Sequence, residues 1–190
     1  MVYRLFMVLT ALLPLLAAAA EQGQRRFDDG RLRVHLHPRT PDQIAAFYEA
    51  RGFPRAMIAR LRAQCFITTT VRNLGDDIVW LEPARWEFRT ADGRRIERLD
   101  RGYWKTQWAA MDAPLPARST FRWTQLPESL DLRPGEGEGG NLILPRPAGR
   151  FSLIARFATG ADRSGPAITV RFNDLRCAGP PSRSAPRGRK

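Results

Sequence analysis

The chain has 190 residues, of which 43% are apolar, and its 31 basic and 19 acidic side chains give a net charge of +12. This length fits one domain, and this apolar fraction is sufficient for a hydrophobic core. The composition therefore excludes a globally disordered chain. The positive balance favours anionic partners, although an evenly basic surface is the simpler interpretation.

The first 20 residues predict a signal peptide. A basic residue precedes the apolar run 5–16, and the small residues 18–20 form a cleavage site. An uncleaved anchor is the alternative, but the run is short for a membrane span and Pro14 interrupts it. We expect an exported protein, periplasmic or extracellular, that is not an integral membrane protein after cleavage. Without a recognition motif, nucleic acid is not an expected partner.

The two cysteines, Cys65 and Cys177, predict a structural disulfide, because thiols pair in oxidising compartments. They are 112 positions apart, and closing a loop of that length stabilises a fold by about 4–5 kcal/mol. A reactive thiol pair or a metal site is the alternative. Neither cysteine has a Cys-x-x-Cys partner or a histidine nearby in sequence, so we favour the disulfide.

In chain order, residues 21–30 are polar and are expected to form a loose lead-in. Residues 31–37 alternate, which predicts a strand whose apolar side chains Leu32, Val34 and Leu36 face a core. Residues 41–63 then predict a short helical hairpin inserted after this first strand. Thr40 can cap it, with Pro41 in the first turn and Gln43 completing a capping box.

Short strands dominate the rest of the chain. Residues 65–73 are a Thr-rich, β-branched strand, and Asp92-Gly93 predicts a hairpin turn between two later strands. The aromatic residues of 103–108 are spaced as on a short helix, and an aromatic loop is the alternative. After Pro114, the alternation of Phe121 with Trp123 predicts a strand.

The final strands, 151–157 and 168–172, are joined by a hairpin at 160–165, and residues 178–190 read as a disordered basic tail. The pattern is mainly β. It favours an immunoglobulin-like antiparallel β-sandwich over residues 31–177, with the helical insertion at 41–63.

The run 130–136, which ends in the turn Pro134-Gly135-Glu136, is followed by the apolar segments 142–145 and 151–157, all within residues 118–175. Through these segments the second half of the chain resembles secreted bacterial immunoglobulin-like domains of uncharacterised function. In such domains a Pro-Gly-Glu turn precedes strands of the second sheet. The resemblance implies a β-sandwich and transfers no active site.

His35 and His37, the two histidines of the chain, lie at i and i+2 on a predicted strand. Their side chains therefore point the same way, about 6–7 Å apart at their bases, which permits binding of copper or zinc. Asp42 or Glu49 on the next helix could add an oxygen ligand. Positive neighbours oppose a cation, so two solvent-facing histidines are the alternative.

Tyr103, Trp104 and Trp108 are candidates for binding a sugar ring or an apolar peptide, because aromatic rings offer a flat apolar face. Arg101 and Lys105, with Arg118 farther on, would favour an acidic ligand. The alternative is that these aromatic residues cover one end of the core.

Catalysis finds little support, since the chain has no Gly-x-Ser-x-Gly elbow and both histidines share one basic strand. We therefore predict an exported non-enzymatic protein, without a cofactor, that binds or assists an envelope protein, a glycan or an anionic surface. A periplasmic metal-handling protein using His35 and His37 is the alternative, and a hydrolase is the third hypothesis. Oligomeric state is not predicted.

Overall fold

Ten β-strands and four α-helices make up most of residues 25–179, the part of the chain that the computed structural model describes. The predicted signal peptide lies outside the described residues, as do positions 180–190 of the predicted basic tail.

The helices are α1 (Pro41–Glu49), α2 (Arg55–Arg62), α3 (Arg101–Ala110) and α4 (Leu115–Thr124). A single 3-10 turn spans Pro83–Arg85. The strands are β1 (Arg26–Asp28), β2 (Leu32–Arg39), β3 (Cys65–Asn73), β4 (Val79–Leu81), β5 (Glu87–Thr90), β6 (Arg95–Ile96), β7 (Leu130–Leu132), β8 (Gly137–Leu144), β9 (Phe151–Thr159) and β10 (Gly165–Leu175).

These strands form two antiparallel sheets, as expected for a mainly β chain. Sheet A has four strands in the order β1-β2-β3-β8. Sheet B has six, in the order β6-β5-β9-β4-β7 with β10 along the other side of β9. The turn at Asp92-Gly93 joins β5 to β6, and the predicted hairpin at 160–165 joins β9 to β10.

The first core lies between the two sheets. Leu32, Val34 and Leu36 of β2 are fully buried there, as their alternation predicts. They pack in one cluster with apolar side chains of sheet B such as Phe88 and Phe157. The sheets therefore face each other in a sandwich-like arrangement.

The second core covers the outer face of sheet A, opposite the first core. Phe66 of β3 and Ile143 of β8 leave the sheet on that side and pack among the buried side chains of all four helices. Alternation along β3 explains this, because the neighbouring Cys65 and Ile67 belong to the first core. The helices form a third layer on sheet A. None of the helices in the described range is long and apolar enough to cross a membrane.

The predicted helical hairpin is confirmed as α1 and α2. Thr40 caps α1 by accepting a hydrogen bond from the Gln43 backbone N–H at 3.1 Å. The Gln43 side chain accepts in return from the Thr40 N–H at 3.0 Å, which completes the capping box. The sequence thus fixes where this helix begins.

Two segments differ from the sequence predictions. The supposed lead-in contains β1, which pairs with β2 at the edge of sheet A. The strand expected at Phe121 and Trp123 is instead part of α4, with Pro116 in its first turn. Helical phase separates the two aromatic side chains, so Phe121 is 1% exposed and Trp123 is 84% exposed.

The predicted disulfide is confirmed. Cys65 opens β3 in sheet A, and Cys177 follows the end of β10 in sheet B, with their Cα atoms 5.5 Å apart. The bond therefore links the two sheets covalently across the first core.

Replacing both cysteines, as Cys65→Ser/Cys177→Ser, should lower the free energy of unfolding by about 4–5 kcal/mol, because the unfolded chain regains the entropy of an open loop. Denaturant unfolding of the oxidised wild type against this variant measures the loss. An unchanged unfolding midpoint would contradict a structural role for the bond.

A second comparison tests the helical assignment of α4. Phe121→Ala should lower the unfolding free energy by about 3–5 kcal/mol, because it empties a buried aromatic site. Trp123→Ala should change it by less than about 0.5 kcal/mol. In a strand the two side chains would share one face, so similar losses in both variants would exclude the helix.

Candidate anion-binding cavity between α3 and α4

A cavity of about 580 Å³ lies between α3 and α4. Both helices pack against the outer face of sheet A, and the segment after α4 closes one end. The cavity is lined by Arg101, Gly102, Trp104, Lys105, Trp108, Leu115, Arg118, Ser119, Phe121, Arg122, Gln125 and Glu128. Four of the five residues that the sequence indicates as ligand-binding are therefore here.

Helix α3 places its two tryptophans on one buried face. Asp100 caps the helix by accepting a hydrogen bond from the Tyr103 backbone N–H at 2.7 Å. Trp104 and Trp108 are four residues apart and stack with ring centroids 4.8 Å apart. They are only 1% and 2% exposed, so the pair belongs to the helical core and is not an open aromatic surface.

Phe121 of α4 completes the aromatic wall. Its ring meets those of Trp104 and Trp108 edge-on, with centroids 5.1 Å and 5.2 Å away. Tyr103 packs edge-on against Trp104 and is half-buried, outside the cavity lining. The indole N–H groups of both tryptophans are buried and have no acceptor within residues 25–179.

Four cationic side chains surround this aromatic wall. Arg101 and Lys105 stand four residues apart on α3, and Arg118 and Arg122 stand four apart on α4. Neither helix contains an acidic residue. Within the described chain, Lys105, Arg118 and Arg122 form no side-chain ion pair or hydrogen bond, so their charges face the cavity region without internal compensation.

Arg101 is the most constrained of the four. Its Nη2 donates to the carbonyl of Gln125 at 3.1 Å, while its buried Nε has no acceptor in the described residues. Burial lowers the pKa of Arg101, the attraction of Glu128 raises it, and the charge of Arg122 lowers it again. Arginine stays protonated, so an anion bound here would offset both the cost of burying the Arg101 charge and its repulsion by Arg122.

Glu128 contributes the cavity's one carboxylate, but other groups already occupy it. Arg98 donates to both of its oxygens, one of them at 3.1 Å, and Arg98 is largely buried. The backbone N–H of Arg101 also donates to Glu128, at 3.1 Å. This carboxylate is therefore held mainly by Arg98, and although it attracts Arg101 it pairs with none of Lys105, Arg118 and Arg122.

The two histidines lie elsewhere, on the outer face of sheet A beside β1 and β3. The His35 and His37 rings are 6.0 Å apart. Asp42, a possible third ligand, is paired with Arg62 at 2.7 Å. Across residues 25–179, no group of three or more His, Cys, Asp or Glu side chains is arranged to hold a metal ion.

Sequence reasoning missed Arg122, because the strand assigned after Pro114 separated it from the aromatic residues of α3. The available signal was the i, i+4 spacing of Arg118 and Arg122 on a segment that begins with prolines. The same spacing places Ala117 with Phe121 on the buried face.

Comparison with known proteins leaves the family open. No family model matches the chain, and no curated protein matches it in sequence. Two solved Bacillus subtilis structures are similar in part. A lipoprotein candidate, ycdA, shares 9% identity at a TM-score of 0.40, over 80% of this chain and 39% of its own. The protein yjhA shares 11% identity at a TM-score of 0.41, over 70% of this chain and 78% of its own. Similarity at this level carries no inference about function.

His35 should make the stability of the protein depend on pH. Burial, followed by the charges of Arg26 and His37, lowers the pKa of His35 below its ordinary value of 6.5. Between that value and the lower folded pKa, the unfolded chain binds a proton that the folded chain does not. The free energy of unfolding should therefore fall as pH decreases through about 6.5.

Denaturant unfolding between neutral and mildly acidic pH measures this dependence. His35→Asn should flatten it, whereas His37→Asn should retain most of it as the matched control. The carboxylate Asp28 titrates far lower, with a pKa of about 2, and does not overlap this range. An equally steep loss of stability in His35→Asn would contradict the assignment.

Proposed function

We propose that this protein is an exported, non-enzymatic β-sandwich protein that binds an anionic, amphipathic component of the cell envelope in the cavity between α3 and α4. One observation carries the proposal. Four cations, three of them without an internal partner in the described residues, surround a cavity whose wall is Trp104, Trp108 and Phe121.

The ligand chemistry follows from this lining. Phosphate and carboxylate groups are the natural partners of clustered arginines, which can donate two hydrogen bonds to one such group. The apolar part of the lining, which is the exposed Leu115 above the largely buried rings of Trp104, Trp108 and Phe121, favours an apolar portion attached to that anionic group. A volume of about 580 Å³ lies in the range of small-molecule sites, most of which have apolar walls and a few polar anchors.

Three features support an exported location and the proposed topology. A signal peptide, which we predict from the sequence of the first 20 residues, would direct export. The disulfide between Cys65 and Cys177 is typical of oxidising compartments. The two facing antiparallel sheets support an immunoglobulin-like sandwich as the interpretation of the fold. The periplasm or the extracellular space is the compartment we propose.

Titration calorimetry with dodecyl phosphate, held below its micelle concentration, tests the proposed function. Dodecyl maltoside has the same alkyl chain without the negative charge, and inorganic phosphate has the negative charge without the alkyl chain. We expect the tightest binding for dodecyl phosphate. In nuclear magnetic resonance spectra, the indole N–H signals of Trp104 and Trp108 should shift, while that of Trp86 in the first core should not.

The variant Arg118→Ser/Arg122→Ser should weaken this binding at least about tenfold, because each arginine supplies charge-assisted hydrogen bonds. The matched control is Arg55→Ser/Arg171→Ser, which removes the same charge from exposed positions outside the cavity. Equal weakening in both variants would show general charge attraction and would overturn the cavity as the site. An affinity for dodecyl maltoside equal to that for dodecyl phosphate would contradict the proposal that the ligand is anionic.

A further inference from the structure

A second cavity, of about 500 Å³, lies on the opposite flank of α4 from the first. Its floor is the part of the outer face of sheet A that the helices leave open, and its walls are α1 and the end of α4. The side chains that line it include Arg39, Gln43, Phe47, Thr68, Trp123 and Asn141.

Trp123 is the most unusual of these side chains. It is 84% exposed, whereas Phe121 two positions earlier supplies the contact of α4 with the core. Phe47 of α1 is also partly exposed, but the Arg51 guanidinium covers one face of its ring, 3.5 Å from the centroid. Trp123 therefore offers the larger open aromatic face at the rim of the cavity.

The floor is held by a directed chain of hydrogen bonds. Arg39 Nε donates to Thr68 Oγ1 at 3.0 Å, and Thr68 Oγ1 donates to Asn141 Oδ1 at 2.9 Å. Because the Thr68 hydroxyl donates its hydrogen bond to Asn141, the side-chain oxygen of Asn141 faces Thr68. The polar atoms of β2, β3 and β8 are thus fixed before any ligand binds.

A separate pair of hydrogen bonds lies beneath α4. The Tyr48 hydroxyl and Thr124 Oγ1 are 2.7 Å apart, and Thr124 donates its own proton to the Phe121 carbonyl at 2.7 Å. Tyr48 is therefore the donor to Thr124. Burial raises the pKa of Tyr48 to about 12, which keeps this proton in place.

Several donors remain after these bonds are counted. Within residues 25–179, the two Nη groups of Arg39 and the Nε2 of Gln43 make no hydrogen bond. Gln43 is fixed through its oxygen, which accepts from the Thr40 N–H at 3.0 Å. Planar guanidinium and amide groups of this kind can bind hydroxyl and carboxylate oxygens.

Gly139 leaves the space above the cavity floor free of a side chain. Gly139 of β8 lines the cavity, and a Cβ added there would meet only the Thr70 methyl at 3.5 Å and the Thr69 carbonyl at 3.7 Å. These are ordinary contacts, so the fold itself does not require glycine at this position. A side chain there would instead occupy the space above the sheet.

We propose that this cavity binds a sugar ring of an acidic glycan, with the ring stacked on Trp123 and its carboxylate held by Arg39. An aromatic face beside fixed planar donors suits a ring that has an apolar face and hydroxyl groups around its edge. The acidic preference follows because Arg39 is the charged residue of the lining. This site is independent of the cavity between α3 and α4.

The test uses short oligosaccharides of galacturonic, glucuronic and sialic acid, each as the free acid and as its methyl ester, with calorimetry and the Trp123 indole N–H resonance as readouts. We expect at least one free acid to bind and to shift the Trp123 signal. Its methyl ester should bind more weakly, because esterification removes the charge that Arg39 attracts.

Trp123→Ala should weaken this binding at least about tenfold. Gly139→Val should abolish it while leaving thermal unfolding nearly unchanged, which separates blocking of the cavity from loss of the fold. Leu115→Ala is the matched control, because it removes another exposed apolar side chain of α4 on the flank facing the first cavity. It should leave glycan binding unchanged.

Arg39→Gln should reduce the preference for the free acid over the ester, so the two affinities converge. The proposal is overturned if no member of the panel binds, or if binding is the same in Trp123→Ala and Gly139→Val as in the wild type. It is also overturned if Trp123→Ala reduces association with anionic lipid vesicles but leaves glycan binding intact, since Trp123 would then serve a membrane surface.

Discussion

The burial of sheet A on both faces is the constraint on which the rest of the structure depends. Along β3, Cys65 and Ile67 enter the core between the sheets, while Phe66 enters the core beneath the helices. A strand with apolar side chains on both faces requires a layer on each side. Four short helices form the layer on the outer face of sheet A, but they cover only part of it. Both cavities arise from this incomplete cover, one between two helices and one where the sheet remains open.

Many strands and turns of the two sheets can be predicted from the sequence, because the signals for them are local. The β2 alternation, the capping box at Thr40 and the turn at Asp92-Gly93 each act within a few residues, and the disulfide followed from composition and export. Helix α4 could not be predicted in this way, because its sequence fits two periods. Phe121 and Trp123 alternate as in a strand, whereas Ala117 and Phe121 are spaced as on one face of a helix. Packing against Trp104 and Trp108 decides between these periods, and that contact joins segments that the sequence leaves separate. Strand β1 was missed because it is a short, charged edge strand that depends on pairing with β2.

The candidate sites show the same division between composition and packing. Aromatic and basic residues near position 104 were visible in the sequence, and four of the five indicated residues line one cavity. The sequence does not show which of these side chains are exposed, because their exposure depends on the rotation of α3 against α4. The same rotation buries Phe121 and exposes Trp123, so the open tryptophan lies at a position where the sequence pattern indicated a strand face. Asn141 and Thr68 were likewise unremarkable in sequence, since only the register of β3 against β8 makes them neighbours.

The charges on α3 and α4 contrast with the arginine–carboxylate pairs found on the strands. Many of those arginines pair with acids, as Arg31 does with Asp29 and Arg156 with Glu87. On α3 and α4 the cations instead occur at i and i+4, as Arg101 with Lys105 and Arg118 with Arg122, with no acid on either helix. Like charges at this spacing destabilise a helix by a few tenths of a kcal/mol per pair. An anionic ligand in the cavity between them would offset that repulsion, so binding and the stability of the helical layer are coupled through the same four side chains.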